Sequence, residues 1–238
     1  MELTIKLLIK RTSGTQEMTV TVPDEASVLD ALEVAYRQDT TLVFRHSCHH
    51  ASCGSCGMII NSKEGLACIT PINTVVGNND IVRLEPMHNF PVIADLAVDT
   101  SSFLSKMERI NRPLTRQDES QISIHALLSG ETKAFDRFEN CIECGLCVSA
   151  CPIMATSPDH LGPAVLAAAG RLLQEPRGRF ISQTLAAVNN PHGIWRCHSV
   201  FLCSEVCPAD VRPAEAIVEL QRQLIFVPKG EVKDEFTL

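Results

Sequence analysis

Eleven cysteines fall by spacing into three groups, and thiolates grouped in this way bind metal. Cys48-x4-Cys53-x2-Cys56, with Cys68 further on, has the plant-type spacing for a [2Fe-2S] centre. Gly54, Ser55 and Gly57 are small enough to let a loop backbone approach sulfide ions and point N–H groups at them. Four cysteines also suit a structural zinc ion, although x4 and x2 spacings within one loop fit paired zinc knuckles poorly. His49 and His50 raise the alternative of a Rieske-type centre. With four thiolates already present, both read as bystanders on the surface or in packing.

Cys141-x2-Cys144-x2-Cys147-x3-Cys151-Pro152 is the complete bacterial ferredoxin run. In two-cluster proteins the fourth cysteine of such a run ligates the other cluster, so a second run must supply an exchange partner. That run is Cys197, Val200, Cys203, Cys207 and Pro208, in the same register with valine where the second cysteine would stand. Crossing over gives Cys141, Cys144, Cys147 and Cys207 to a [4Fe-4S] centre, and leaves Cys151, Cys197 and Cys203 to a centre with three thiolates. Val200 has no lone pair, so a [3Fe-4S] centre is expected there. The alternative is a four-iron centre with water or substrate on its open iron, which an apolar valine disfavours. Crossed ligation joins distant segments, so metal binding and folding of this half should be coupled.

The rest of the composition narrows the setting. An odd number of cysteines, behind a start (MELTIKLLIKRTSG) that lacks the long apolar run of an export signal, points to thiols held reduced for metal. A net charge of -7 argues against a nucleic-acid partner. No stretch approaches 18 consecutive apolar residues, so a membrane-spanning segment is not expected, whereas docking on a membrane partner remains compatible.

The elements that must position these cysteines change along the chain. LTIKLLI and MTVTV alternate around Gly14 as a hairpin. Ser27 and Asp30 form a capping box before the helix LDALEVAYR. GMII and LACI read as strands around the turn NSKEG, and IVRLE as another strand that Pro86 ends. Beyond Val98 the period turns helical: SSFLSKMERI, a polar stretch from Arg112 to Gln121, and two helices opened by Pro163 and Pro213. The expected fold is α+β, with a [2Fe-2S] ferredoxin-type domain over residues 1–100 and a mostly helical domain over 101–238.

The segments FRHSCHHASCGSCGM, EPMHNFPVIADLAVD, CIECGLCVSACP, HLGPAVLAAAGR and WRCHSVFLCSEVCPADVRP resemble, in order, the iron-sulfur subunit of succinate dehydrogenase and fumarate reductase. The resemblance implies an N-terminal β-grasp plant-type ferredoxin domain and a C-terminal bacterial-ferredoxin-like domain. It implies electron transfer between FAD in a separate flavoprotein subunit and a quinone near a membrane anchor, with the chain peripheral on the cytoplasmic face of a bacterial or archaeal inner membrane. The [2Fe-2S] centre would face the flavin and the [3Fe-4S] centre the quinone. No G-x-G-x-x-G fingerprint is present, so the flavin belongs to the partner. By the same resemblance, Pro152 and His198 mark the quinone vicinity. Ile153, Met154, Ala155 and Thr156 stand where ubiquinone-reducing members carry tryptophan, and Gln221 stands where a lysine is common. These departures lean towards menaquinone. A ferredoxin-like carrier, or a subunit serving a different flavoprotein, is the alternative. Trp195 is expected to pack in the core.

Overall fold

Alternation dictates the first element pair. In β1 (Glu2–Arg11) Ile5, Leu7 and Ile9 are fully buried, and in β2 (Gly14–Pro23) Met18, Val20 and Val22 lie on the same face. The computed structural model describes residues 1–77, 79–110, 138–174 and 181–226, so the polar stretch Arg112 to Gln121 lies outside the described residues. After the hairpin, α1 (Val28–Gln38) begins at the predicted capping box: the Ser27 side chain accepts from the Asp30 N–H at 3.2 Å, and Asp30 accepts from the Ser27 N–H at 2.7 Å. Leu29, Leu32 and Ala35 bury its inner face.

The return strand differs from expectation. β3 (Gly57–Ile60) pairs with β4 (Lys63–Leu66), whereas Ala67–Ile69, expected to be extended, coils into a short 3-10 turn that carries Cys68. Asn61 and Ser62 have φ of 48° and 68°, and two left-handed residues close a hairpin in a two-residue turn. The strand therefore starts earlier than the apolar pattern suggests. Short α2 (Ile72–Val75) and β5 (Ile81–Glu85) follow. The sheet order is β2-β1-β5-β3-β4, with the parallel β1–β5 pair at its centre.

β6 (Val92–Ala94) and β7 (Ala97–Val98) form a separate ribbon whose turn holds Asp95, 6 % exposed. Its carboxylate receives Arg11 Nε at 3.0 Å and the N–H groups of Thr12 and Val43, each at 2.9 Å. Burial opposes ionisation, but these donors win and hold the carboxyl below the usual value of 3.8. The stability this adds is complete above that value and fades as pH falls through the depressed one. Asp95→Ala removes the acceptor of Arg11 Nε and of two backbone N–H groups, while Arg11 keeps Asp39 at 3.2 Å and Thr41 at 2.8 Å; urea unfolding should show a loss of roughly 2 kcal/mol, and Asp95→Asn a smaller one.

The chain divides into two compact units, Met1–Ser101 with Ile142–Ala150, and Ser102–Cys141 with Cys151–Leu238. A single boundary near residue 100 would put all of 142–150 in the helical half, but this segment packs on the first unit. Leu146 is fully buried, and its methyl lies against Gly57. Asn89 Nδ2 donates to the carbonyls of Val148 and Ser149 at 2.8 and 2.9 Å. The Ser149 hydroxyl accepts from the His88 N–H at 2.9 Å and donates to Glu64 at 3.0 Å.

The second unit is helical in its described residues apart from short turns: α3 (Ser101–Ile110) largely within it, α5 (Pro152–Thr156), α6 (Pro163–Gln174), α7 (Ile181–Val188), α8 (Leu202–Glu205) and α9 (Pro213–Phe226), with α4 (Leu146–Ser149) lying in the first unit's segment. Proline opens α6 and α9 at the position where its missing N–H costs nothing. α6 packs against α9, with Gly170 and Ala216 at the close approach. Lys106 of α3 donates to the carbonyls of Pro158 and His160 at 3.2 and 2.9 Å.

Candidate iron-sulfur sites

All eleven cysteines are thiols rather than disulfides. Cys48, Cys53, Cys56 and Cys68 converge in the first unit on the loop between α1 and β3 and on the 3-10 turn after β4. The N–H groups of Ser52 and Cys53 donate to Cys48 Sγ at 3.3 Å and that of His50 at 3.5 Å, while the Cys48 N–H donates to Cys53 Sγ at 3.5 Å. The His50 N–H leads these in pulling the Cys48 thiol down to about 7, and Ser55 lowers Cys53. Cys56 is 3 % exposed; burial pushes its thiol up to about 12, and the neighbouring Cys68 and Cys53 add to the effect. A loop that solvates two thiolates with N–H groups and buries a third thiol beside a fourth fits a cationic iron centre, which would supply the charge that a buried thiolate requires.

Close approach at this loop demands glycine. Gly54 has φ +69°, and a Cβ on it would stand 2.7 Å from Cys144 Cβ and 2.8 Å from Cys144 Cα. The loop of the first group therefore lies directly against a cysteine of the second run. His49 and His50 take no place among the four sulfurs: His50 Nδ1 donates to the Cys48 carbonyl, and His49 pairs with His46.

The two ferredoxin runs share one backbone. Glu143 and Ser199 both have φ 53°, and Gly145 and Phe201 have φ 80° and 69°; each pair leads into a four-residue helix, α4 or α8. Val200 thus stands in the backbone position that Cys144 occupies in the first run. The loop keeps its shape without the ligand. Cys141 follows the 3-10 turn Phe138–Asn140, and Cys207 accepts the Val211 N–H at 3.3 Å.

In the second unit, Cys151, Cys197, Cys203 and Val200 line one apolar recess of about 390 Å³, counting its open mouth. Burial pushes the Cys203 thiol up to about 12, with Cys151 and Cys197 close enough to raise it further, and burial likewise raises Cys151. Three clustered, partly desolvated thiols with valine at the fourth position fit a centre of three thiolates. Pro152 and His198 line the same recess, and Val200, Phe201 and Leu202 expose large apolar surface beside it.

The chain is 36% identical over 207 residues to the fumarate reductase iron-sulfur subunit of Haemophilus influenzae, covering 82% of this chain and 80% of that protein. It is 40% identical over 205 residues to that of Mycobacterium tuberculosis, covering 85% and 82%. The chain belongs to the family of succinate dehydrogenase and fumarate reductase iron-sulfur subunits. Residues 8–105 match the family model of the 2Fe-2S iron-sulfur cluster binding domain, and residues 137–211 that of the 4Fe-4S dicluster domain. In fold, the subunit resembles a chain of the Mycobacterium smegmatis Sdh1 complex in the apo form, with TM-score 0.83 and 22% identity, covering 98% of this chain and 100% of that one.

One residue of this iron-sulfur subunit departs from the sequence expectation. Trp195 is 44% exposed and donates its ring N–H to Asn189 Oδ1 at 2.7 Å. It lies on the 3-10 turn Ile194–Arg196, where fully buried Ile194 takes the inward position instead. Gln221 donates to the Ile194 carbonyl at 3.0 Å and so holds the turn that delivers Cys197. Sequence reasoning also missed His160, 1 % exposed and lining the recess. Its Nδ1 donates to the His192 carbonyl at 2.9 Å, and burial lowers its pKa, leaving a neutral ring with Nε2 as acceptor. No local pattern marks it, because its place in the recess is set by residues distant in sequence, from Cys197 to Ile217.

Proposed function

We propose that this subunit conducts electrons through three centres: a [2Fe-2S] centre on Cys48, Cys53, Cys56 and Cys68, a [4Fe-4S] centre on Cys141, Cys144, Cys147 and Cys207, and a [3Fe-4S] centre on Cys151, Cys197 and Cys203. Such centres supply one-electron storage, and the protein's part is to hold, insulate and tune them. Backbone N–H groups around Cys48 favour the added negative charge of a reduced first centre. The contact of Gly54 with Cys144 shortens the path to the second centre.

The chain is the electron-transfer iron-sulfur subunit of a fumarate reductase or succinate dehydrogenase complex. Its partners under this reading are an FAD-containing flavoprotein and a membrane anchor, with a quinone, menaquinone favoured, at the recess beside Pro152 and His198. No helix among the described residues is long and apolar enough to cross a membrane. In this reading the chain docks peripherally on the anchor at the cytoplasmic face. The convergence of Cys151, Cys197 and Cys203 on a recess that also takes in Val200, Pro152 and His198 carries this reading, because it puts the three-thiolate site beside an apolar opening.

Purification of the native complex from membranes in mild detergent tests it. The chain should co-purify with a flavin-bearing polypeptide and an integral membrane polypeptide, and the complex should couple fumarate and succinate to a quinone analogue. The separated chain should turn over neither substrate. Turnover by the separated chain, or isolation without a flavoprotein, would refute the assignment.

A further inference from the structure

Among the described residues, one cluster outside the cysteine groups has ligand geometry. His46 Nδ1 lies 3.1 Å from His49 Nε2, Glu33 Oε1 lies 3.4 Å from His49 Nε2, and the same oxygen lies 3.8 Å from His46 Nδ1. A zinc ion with bonds of 2.0–2.1 Å in tetrahedral geometry separates its ligand atoms by about 3.3 Å. These three atoms thus approximate one face of such a tetrahedron. A hydrogen bond between the two histidines alone would not require a carboxylate within reach of both nitrogens.

The surrounding structure aims the ligands. His49 adopts φ 62°, a left-handed conformation uncommon for a residue with a side chain, and this turns its ring back towards His46. Phe44 stacks on His46 at 5.2 Å and 23°, and Tyr36 of α1 meets the Phe44 ring edge-on at 6.1 Å. Glu33 comes from the middle of α1, an element fixed by its capping box and buried face. Glu33, His46 and His49 are 30%, 39% and 43% exposed, so a fourth position opens to water.

We propose that Glu33, His46 and His49 form a binding site for a borderline divalent transition-metal ion of the zinc class, separate from the iron-sulfur ligands. Two imidazoles with one carboxylate suit zinc and its neighbours over magnesium or calcium, which take oxygen donors. The ion joins α1 to the loop through the two residues that bracket the Ser47–Cys48 pair, and so pins the segment from which Cys48 projects. The proposal goes beyond the electron-transfer reading and does not depend on it.

Anaerobic titration of the full chain, with its iron-sulfur centres in place, against zinc sulfate tests the site, followed by gel filtration, elemental analysis and zinc-edge X-ray absorption. One zinc per chain should be retained, with nitrogen and oxygen neighbours at about 2.0–2.1 Å and no sulfur near 2.3 Å. Glu33→Gln and His46→Asn should each weaken binding at least about tenfold, with the iron content of Glu33→Gln unchanged. Sulfur neighbours around the zinc, equal uptake by both variants, or no retained zinc would overturn the proposal. Reading zinc rather than electron transfer keeps its failure distinct from failure of the function.

Discussion

A Val200→Cys variant is expected to convert the third centre from three irons to four. The backbone flanking Val200 repeats that flanking Cys144: Ser199 matches Glu143 at φ 53°, and Phe201 takes the left-handed role that Gly145 plays in the first run. The helices that follow close alike. Val148 and Ser149 donate to the Gly145 carbonyl at 3.0 Å, and Ser204 and Glu205 donate to the Phe201 carbonyl at 2.9 and 3.2 Å. A thiol is smaller than the valine side chain it replaces, so no overpacking opposes it. The wild type should show the EPR signal of an oxidised three-iron centre and hold about nine irons per chain; the variant should lose that signal and hold about ten. Cluster type sets potential, so quinone-linked turnover should fall as well. An unchanged oxidised-state signal at unchanged iron content would mean that Val200 does not occupy the missing ligand position.

Gly54→Ala should be the most damaging single methyl added to the first unit. The new carbon would meet Cys144 Cβ at 2.7 Å and its Cα at 2.8 Å, and backbone cannot swing aside as a flexible side-chain end can. The φ of +69° adds a left-handed penalty of its own. Overpacking and backbone strain together should cost roughly 3 kcal/mol. Denaturant unfolding followed through the visible absorbance of the centres reads this directly, together with iron lost from the first centre. Gly65→Ala is the control, because its nearest neighbours stand at 3.4 and 3.6 Å, and it should change stability by less than about 1 kcal/mol. Equal behaviour of the two variants would show that the Gly54 contact is not tight.

What could be read from the sequence was what local chemistry specifies. Strand alternation in β1 and β2, the Ser27–Asp30 box and the prolines opening α6 and α9 each act within a few residues, and each appears in the structure where the pattern puts it. The cysteine spacing was legible for the same reason, since the two ferredoxin runs repeat one short loop down to its left-handed residues. Features set by distant partners were not legible. Ile142–Ala150 joins the first unit through Asn89, His88 and Glu64, which no local signal connects to Ser149. Trp195 yields the interior to its neighbour Ile194, a choice made by the turn rather than by hydrophobicity. His160 and the Glu33, His46 and His49 cluster emerge only when the chain brings separate segments together.

An EPR redox titration of the native complex tests the central claim most directly. Three separately titrating centres are predicted: one paramagnetic in the oxidised state, as three irons require, and two that become paramagnetic on reduction, as plant-type and four-iron centres do. A chain whose cysteines hold zinc, only two titrating centres, or the absence of any oxidised-state signal would contradict it.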